Sequence, residues 1–140
     1  MSDIRVAIGP SANNIDGFRR SHFDAITTQQ MMARLNSPQR VAQFADVELV
    51  ALITADTDRA TEFVHNTLGN FDAADTELQE SVRVFVEEQC NASRAATRIY
   101  THRNTLLRRL ARADELLPRP LAECSVNVAV ALNVLRWRGK

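Results

Sequence analysis

Cysteine is scarce in this 140-residue chain, which has only Cys90 and Cys124. Two thiols allow at most one bridge, and neither sits in a CxxC or Cys/His spacing. A disulfide framework and a zinc-organised fold are therefore both excluded, and no metal is expected. The N-terminus carries no secretory signal, so reduced thiols and a cytoplasmic location are the expectation. Long apolar runs are lacking too. The richest, Val126 to Trp137, has nine apolar residues in twelve but is broken by Asn127, Asn133 and Arg136. It is too short and too polar to span a bilayer, so no membrane partner is expected. Enzyme signatures are missing as well: there is no GxSxG, P-loop or HExxH. Gly9-Pro10-Ser11-Ala12-Asn13 lacks the further glycines of a phosphate cradle, and Asp16, Asp24 and Asp46 have no spacing that pairs carboxylates. His22 and His65 have no partner spacing and read as structural. Neither catalysis nor a cofactor is expected.

A formal net charge of zero hides a strong split. Residues 1–90 hold 7 Arg and 14 acids, a net of −7, whereas residues 91–140 hold 9 Arg, Lys140 and 3 acids, a net of +7. A basic half carries the electrostatic footprint of a polyanion partner; the bland reading is a basic surface docked on the acidic half.

Hydrophobic spacing predicts a short strand at Ile4–Ile8, then a loop from Pro10 to Gly17. A helix from Phe18 to Leu35 would turn Phe18, His22, Ala25, Ile26, Met32 and Leu35 inward and stop at Asn36-Ser37-Pro38. A second strand is expected at Val41–Phe44, and a helix from Val47 to Ile53. Another helix, capped by Asp56 or Thr57, would bury Ala60, Phe63, Val64 and Leu68 and end at Gly69-Asn70. Two strands are too few for an independent sheet. They pair with each other under the helices, pair with a second chain, or are the remnant of a larger domain. After a boundary near residues 70–76, Thr76 with Gln79 fits a capping box for a helix whose stripe is Leu78, Val82, Phe85 and Val86. The last helix, Leu121 to about Trp137, has apolar residues on more than one face. One side can meet its own domain, and the other calls for a partner such as a second copy.

The most informative segment is Asn91–Leu117, with six arginines against Asp114 and Glu115. It reads as two short helices, Ser93–Tyr100 and His102–Leu117, joined by a tight turn. Ala95 and Ala96 permit a close crossing. Leu106, Leu110, Ala113 and Leu117 share the inward face of the second helix, and Arg108, Arg109 and Arg112 lie elsewhere on it. Arg103, Asn104 and Thr105 fill its first turn. Arginine can pair bidentately with guanine and asparagine with adenine, while Thr105 and first-turn N–H groups can hold phosphate. Arg94 and Arg98 on the preceding helix could grip the DNA backbone. His102 reads as a cap or packing residue ahead of a base reader.

The run Ala95-Ala96…Ile99…His102-Arg103-Asn104-Thr105-Leu106…Arg109-Leu110, with Glu115-Leu116-Leu117 after it, resembles the C-terminal helix-turn-helix of the PucR/CdaR-type transcriptional regulators. The resemblance covers roughly residues 70–138. Upstream, Ile8-Gly9, Gly17 to Ser21 and Val41 to Asp46 are similar to the closing half of the GGDEF-like domain of that family. The GGDEF signature itself is absent, and cyclase activity is not implied. The resemblance implies sequence-specific DNA binding and transcriptional control, often in response to a small-molecule effector. It places His102, Arg103, Asn104 and Thr105 at the start of the recognition helix, and Arg109 matches the family's arginine. Thr101, Leu107 and Arg108 depart from the pattern, which bears on the target sequence.

The expected protein is therefore mainly α. A small, truncated α/β part with two short strands (residues 1–70) would precede a helix-turn-helix domain (residues 71–140). It would bind double-stranded DNA as a homodimer through Arg94, Arg98, His102, Arg103, Asn104, Thr105, Arg108, Arg109 and Arg112. The rival readings are a protein-interaction or oligomerisation module, and a metabolite-sensor fragment with its ligand between Gly9 and Gly17.

Overall fold

The computed structural model describes residues 4–139. Among them are seven α-helices, one 3-10 turn and two three-residue strands, so the protein is mainly α. The chain divides into two compact units, one running up to Ala60 and resuming at Val134, the other spanning Thr61–Asn133.

The first unit begins with β1 (Val6–Ile8), which pairs in parallel with β2 (Val41–Gln43), Ala7 opposite Ala42. A parallel pair needs a crossover, and α1 (Ile15–Arg34) provides it. The helix starts three residues before the expected Phe18. Asn14 is its N-cap, and the Asn14 side chain accepts the Gly17 N–H at 2.7 Å. Phe18 is 68 % exposed and His22 is only partly buried, whereas both were expected inward. Met32 and Leu35 are buried as expected, and Thr28 and Met31 are buried with them. The helix ends in a Schellman motif: Asn36 takes a left-handed φ of 48°, its N–H reaches Ala33 O, and the Ser37 N–H reaches Met32 O. Phe44, expected to close the second strand, instead opens α2 (Phe44–Ile53), because the chain turns helical directly after Gln43. Val47, Val50 and Ala51 bury the inner face of α2. Arg34 donates to Thr54 Oγ1 at 3.3 Å, which ties the end of α1 to the end of α2.

The division between the units falls inside α3 (Thr57–Leu68), which Asp56 caps by accepting the Arg59 N–H at 3.0 Å. A 3-10 turn (Gly69–Ala73) buries Phe71 and leads to α4 (Thr76–Glu87). Here the cap is Asp75 and not Thr76. The Asp75 carboxylate accepts the Leu78 N–H at 2.7 Å, and the Gln79 side chain turns back to donate to the carbonyls of Phe71 and Asp72. Then come α5 (Ala92–Arg98), α6 (Arg103–Leu116) and α7 (Leu121–Trp137). The Leu121 N–H at the head of α7 bonds to the Asp114 carboxylate at 2.7 Å. Cys124 departs from helical geometry and kinks α7. The apolar residues of α7 serve both units: Leu121, Val128, Ala131 and Leu132 belong to the buried set of the second, and Val134 and Trp137 to that of the first. Burial within the chain thus accounts for much of the two-sided apolar pattern, while Val126 of the same helix is 70 % exposed. No helix among the described residues is long and apolar enough to cross a membrane.

Candidate nucleic-acid interface

Helices α4, α5 and α6 pack on one another in the second unit. Their shared core is small: Val84 from α4, Ala95 and Ala96 from α5, and Leu106 from α6, fringed by Phe85, Ile99 and Leu110. Two alanines at the crossing let the α5 backbone approach its neighbours, and any larger side chain there would push the helices apart. Both connections use left-handed residues. Gln89 and Cys90 (φ 57° and 58°) turn α4 into α5, where the Asn91 side chain caps the helix by accepting the Arg94 N–H. Between α5 and α6 stands Tyr100, φ 54°, inside another Schellman motif: its N–H bonds Thr97 O, and the Thr101 N–H bonds Ala96 O.

The inward face of α6 is the expected one, with Leu106 and Ala113 at 0 % exposure. Its outer face presents Arg103, Asn104, Leu107, Arg108, Ala111 and Arg112 to solvent. His102 occupies the N-cap position, but its side chain makes no capping hydrogen bond and is exposed. Only its backbone carbonyl serves the helix, accepting the Leu106 N–H at 3.1 Å. The expected packing or capping role of the imidazole is therefore not realised. Thr105 is half-buried, with its hydroxyl 3.5 Å from the Arg108 guanidinium.

The arginines differ in their commitments. Among the described residues Arg103 has no ion-pair partner. Arg112 pairs with Glu115 at 2.8 Å, both well exposed, and such a pair is readily exchanged for another anion. Arg109 is tied back to α4, where its guanidinium bonds the Glu77 carboxylate and donates to Ser81 Oγ at 3.1 Å. Arg94 pairs with Glu88 at 3.0 Å, and Arg98 with Glu87 at 2.8 Å and Glu88 at 3.1 Å. Hydrogen bonding, first to Glu87 and then to Glu88, raises the pKa of Arg98 above its ordinary value. Arg83 is buried at 7 % exposure and is satisfied on its own helix by Glu80 and Glu87. The hydrogen bonds that Arg83 donates to Glu80 raise its pKa despite the opposing effect of burial. A shallow groove of about 400 Å³ runs along Asp75, Glu77 and Leu78 of the α4 end and Thr105, Arg108 and Arg112 of α6.

The charge split read from the sequence is thus partly internal. Dividing the chain at residue 90 separates Glu87 and Glu88 from the α5 arginines they neutralise. The outer face of α6 keeps Arg103, Arg108 and Arg112 exposed, and Arg119 and Arg136 are exposed elsewhere in the basic half. Sequence reasoning also missed Glu77 and Ser81. They lie 32 and 28 residues from Arg109, beyond any local spacing rule. The available signal was a small polar residue, Ser81, inside the otherwise apolar stripe of α4.

Residues 78–134 match the model of the PucR C-terminal helix-turn-helix domain. The match begins two residues into α4 and takes in α5, α6 and most of α7. The purine catabolism regulatory protein of Bacillus subtilis (strain 168) is 36% identical over 64 residues, 44% of this chain. The chain spans only 12% of that relative's length. Within the matched stretch, 8 arginines stand against 6 acids, a modest excess that agrees with a local cationic face.

Proposed function

We propose that the protein is a sequence-specific DNA-binding regulator of transcription, with α6 as its recognition helix in the major groove. The observation that carries this reading is the outer face of α6. Arg103, Asn104, Leu107, Arg108 and Arg112 are all exposed, while Leu106 and Ala113 anchor the opposite side. Such a helix can lay cationic and amide side chains on base edges while its other side stays in the core. Arg108 and Asn104 are the candidate base readers, and Arg103, Arg112, Thr105 and His102 contact phosphate. Arg94 and Arg98 grip the flanking backbone after exchanging carboxylates for phosphates. Arg109 is a positioning residue, because its bonds to Glu77 and Ser81 fix the rotation of α6 against α4.

A homodimer belongs to the same proposal, since two-fold dimers read paired half-sites. Exposed apolar side chains of the first unit, including Ile8, Val41, Phe18 and Phe23, support assembly there. They also favour the second reading, an interaction module without DNA. Residues 1–70 are proposed to be the closing part of a GGDEF-like region, a reading supported by the β1-α1-β2 unit. A small-molecule effector would use the cleft of about 430 Å³ lined by Arg5, His22, Ile26 and Gln29, which the Gly9–Gly17 loop expected from the sequence does not line.

The test is fluorescence anisotropy with labelled random duplex DNA and with the chain's own upstream promoter, across a salt series. Binding that prefers the promoter and weakens steeply with salt is expected, because each neutralised phosphate releases counterions. No binding at low salt would remove the DNA reading and leave the interaction module. Light scattering that returned a monomer at micromolar concentration would remove the dimer.

A further inference from the structure

Tyr100 is 98 % exposed, and its hydroxyl has no hydrogen-bond partner among the described residues. It stands between α5 and α6 with a left-handed φ of 54°. That conformation favours glycine and disfavours a bulky side chain. The residue thus strains the backbone and gives the fold no burial in return. Four non-glycine residues take positive φ among those described: Asn36, Gln89, Cys90 and Tyr100. Asparagine suits the region, and only Tyr100 carries an aromatic ring. The Schellman motif needs only the backbone here, through the N–H groups of Tyr100 and Thr101. Fold stability therefore does not account for a tyrosine at this position.

From this we infer that Tyr100 is a DNA contact, its hydroxyl donating to a phosphate oxygen on the strand that borders the groove entered by α6. The inference rests on the DNA-binding reading above. The turn precedes Arg103, the first residue of α6, by three positions. In this proposal the Tyr100 side chain meets the groove wall, not the base edges. Tyrosine hydroxyls are regular donors to phosphate, and such contacts fix register without reading sequence. Because the donor is neutral, it adds affinity without neutralising a phosphate.

The full chain is tested as wild type, Tyr100→Phe and Tyr100→Gly by anisotropy on random and promoter duplexes across salt, with thermal unfolding alongside. Tyr100→Phe is expected to weaken both duplexes alike by about tenfold, the value of one hydrogen bond to a charged acceptor. The slope of log affinity against log salt should not change. Tyr100→Gly should weaken binding at least as much while raising the melting temperature by about a few degrees. Wild-type, salt-sensitive binding with an unaltered Tyr100→Phe would overturn this inference and leave the DNA reading standing. Loss confined to Tyr100→Gly would assign the contact to the ring and overturn the hydroxyl. A lower melting temperature for Tyr100→Gly would show that the side chain serves the fold. Absence of wild-type binding would overturn both readings.

Discussion

Leu106 and Leu107 are adjacent in sequence and opposite in environment, which makes them a sharp test of the α6 orientation. Leu106 is 0 % exposed and Leu107 is 37 % exposed. Truncating Leu106 to alanine removes three carbon atoms, for a transfer loss of about 2 kcal/mol at roughly 0.8 kcal/mol per buried methylene. A cavity term adds to this. The neighbours Val84, Ala95 and Ala96 are short side chains on helices α4 and α5, and closing the void would require helix backbones to move. The site therefore belongs in the upper part of the observed Leu→Ala range, about 3–5 kcal/mol. Leu107→Ala should cost no more than about 1 kcal/mol, since much of its surface already meets water. Urea unfolding followed by circular dichroism measures both. If Leu106→Ala cost under about 1 kcal/mol, or if Leu107→Ala cost as much, the assignment of inner and outer faces would be wrong, and the proposed interface with it.

Other consequences follow from single features. Arg108→Ala should weaken DNA binding by about 1–3 kcal/mol if it reads a base, with the loss larger on promoter than on random DNA; a double Arg108→Ala/Arg112→Ala variant that bound normally in a mobility titration would take α6 out of the interface. Asp75→Ala should destabilise by about 1 kcal/mol through loss of the α4 cap, and Thr76→Ala by less than about half of that; equal effects in chemical denaturation would contradict the capping geometry. Gly69 has φ 51°, and an added Cβ would lie 2.7 Å from Pro118 Cγ. Gly69→Ala should therefore cost at least about 1 kcal/mol, and a neutral result by thermal unfolding would refute that strain. Burial pushes the Cys124 thiol pKa up, although Arg119 opposes it, and its Sγ lies 3.3 Å from Pro120 O. The protonated thiol is thus favoured to higher pH, and Cys90, which is exposed, should alkylate first at pH 7–8 by mass spectrometry.

Much of the second unit was legible because its signals are local. The inward spacing of Leu106, Leu110, Ala113 and Leu117, the alanine pair, and the Pro118-Arg119-Pro120 stop each act within a turn or two of chain. The first unit was harder to read. One side-chain hydrogen bond at Asn14 moved the start of α1, while Phe44 went from strand to helix because β2 is only three residues long. At short strands and helix entries the competing local structures differ by little, and a single cap decides between them.

The sequence by itself determined which faces of α5 and α6 are apolar, where those helices stop, and that the outer face of α6 is cationic. These follow from helical periodicity and from residue chemistry that does not depend on partners. Only the tertiary structure decided which charges are available. It spent Arg94 and Arg98 on Glu87 and Glu88, tied Arg109 to Glu77 and Ser81, and left Arg103 without an ion-pair partner among the described residues. It also buried parts of the last helix in each of the two units, where the sequence had suggested a second copy. Charge pairing and burial depend on distance in space, and a linear pattern fixes distance only within a single helix.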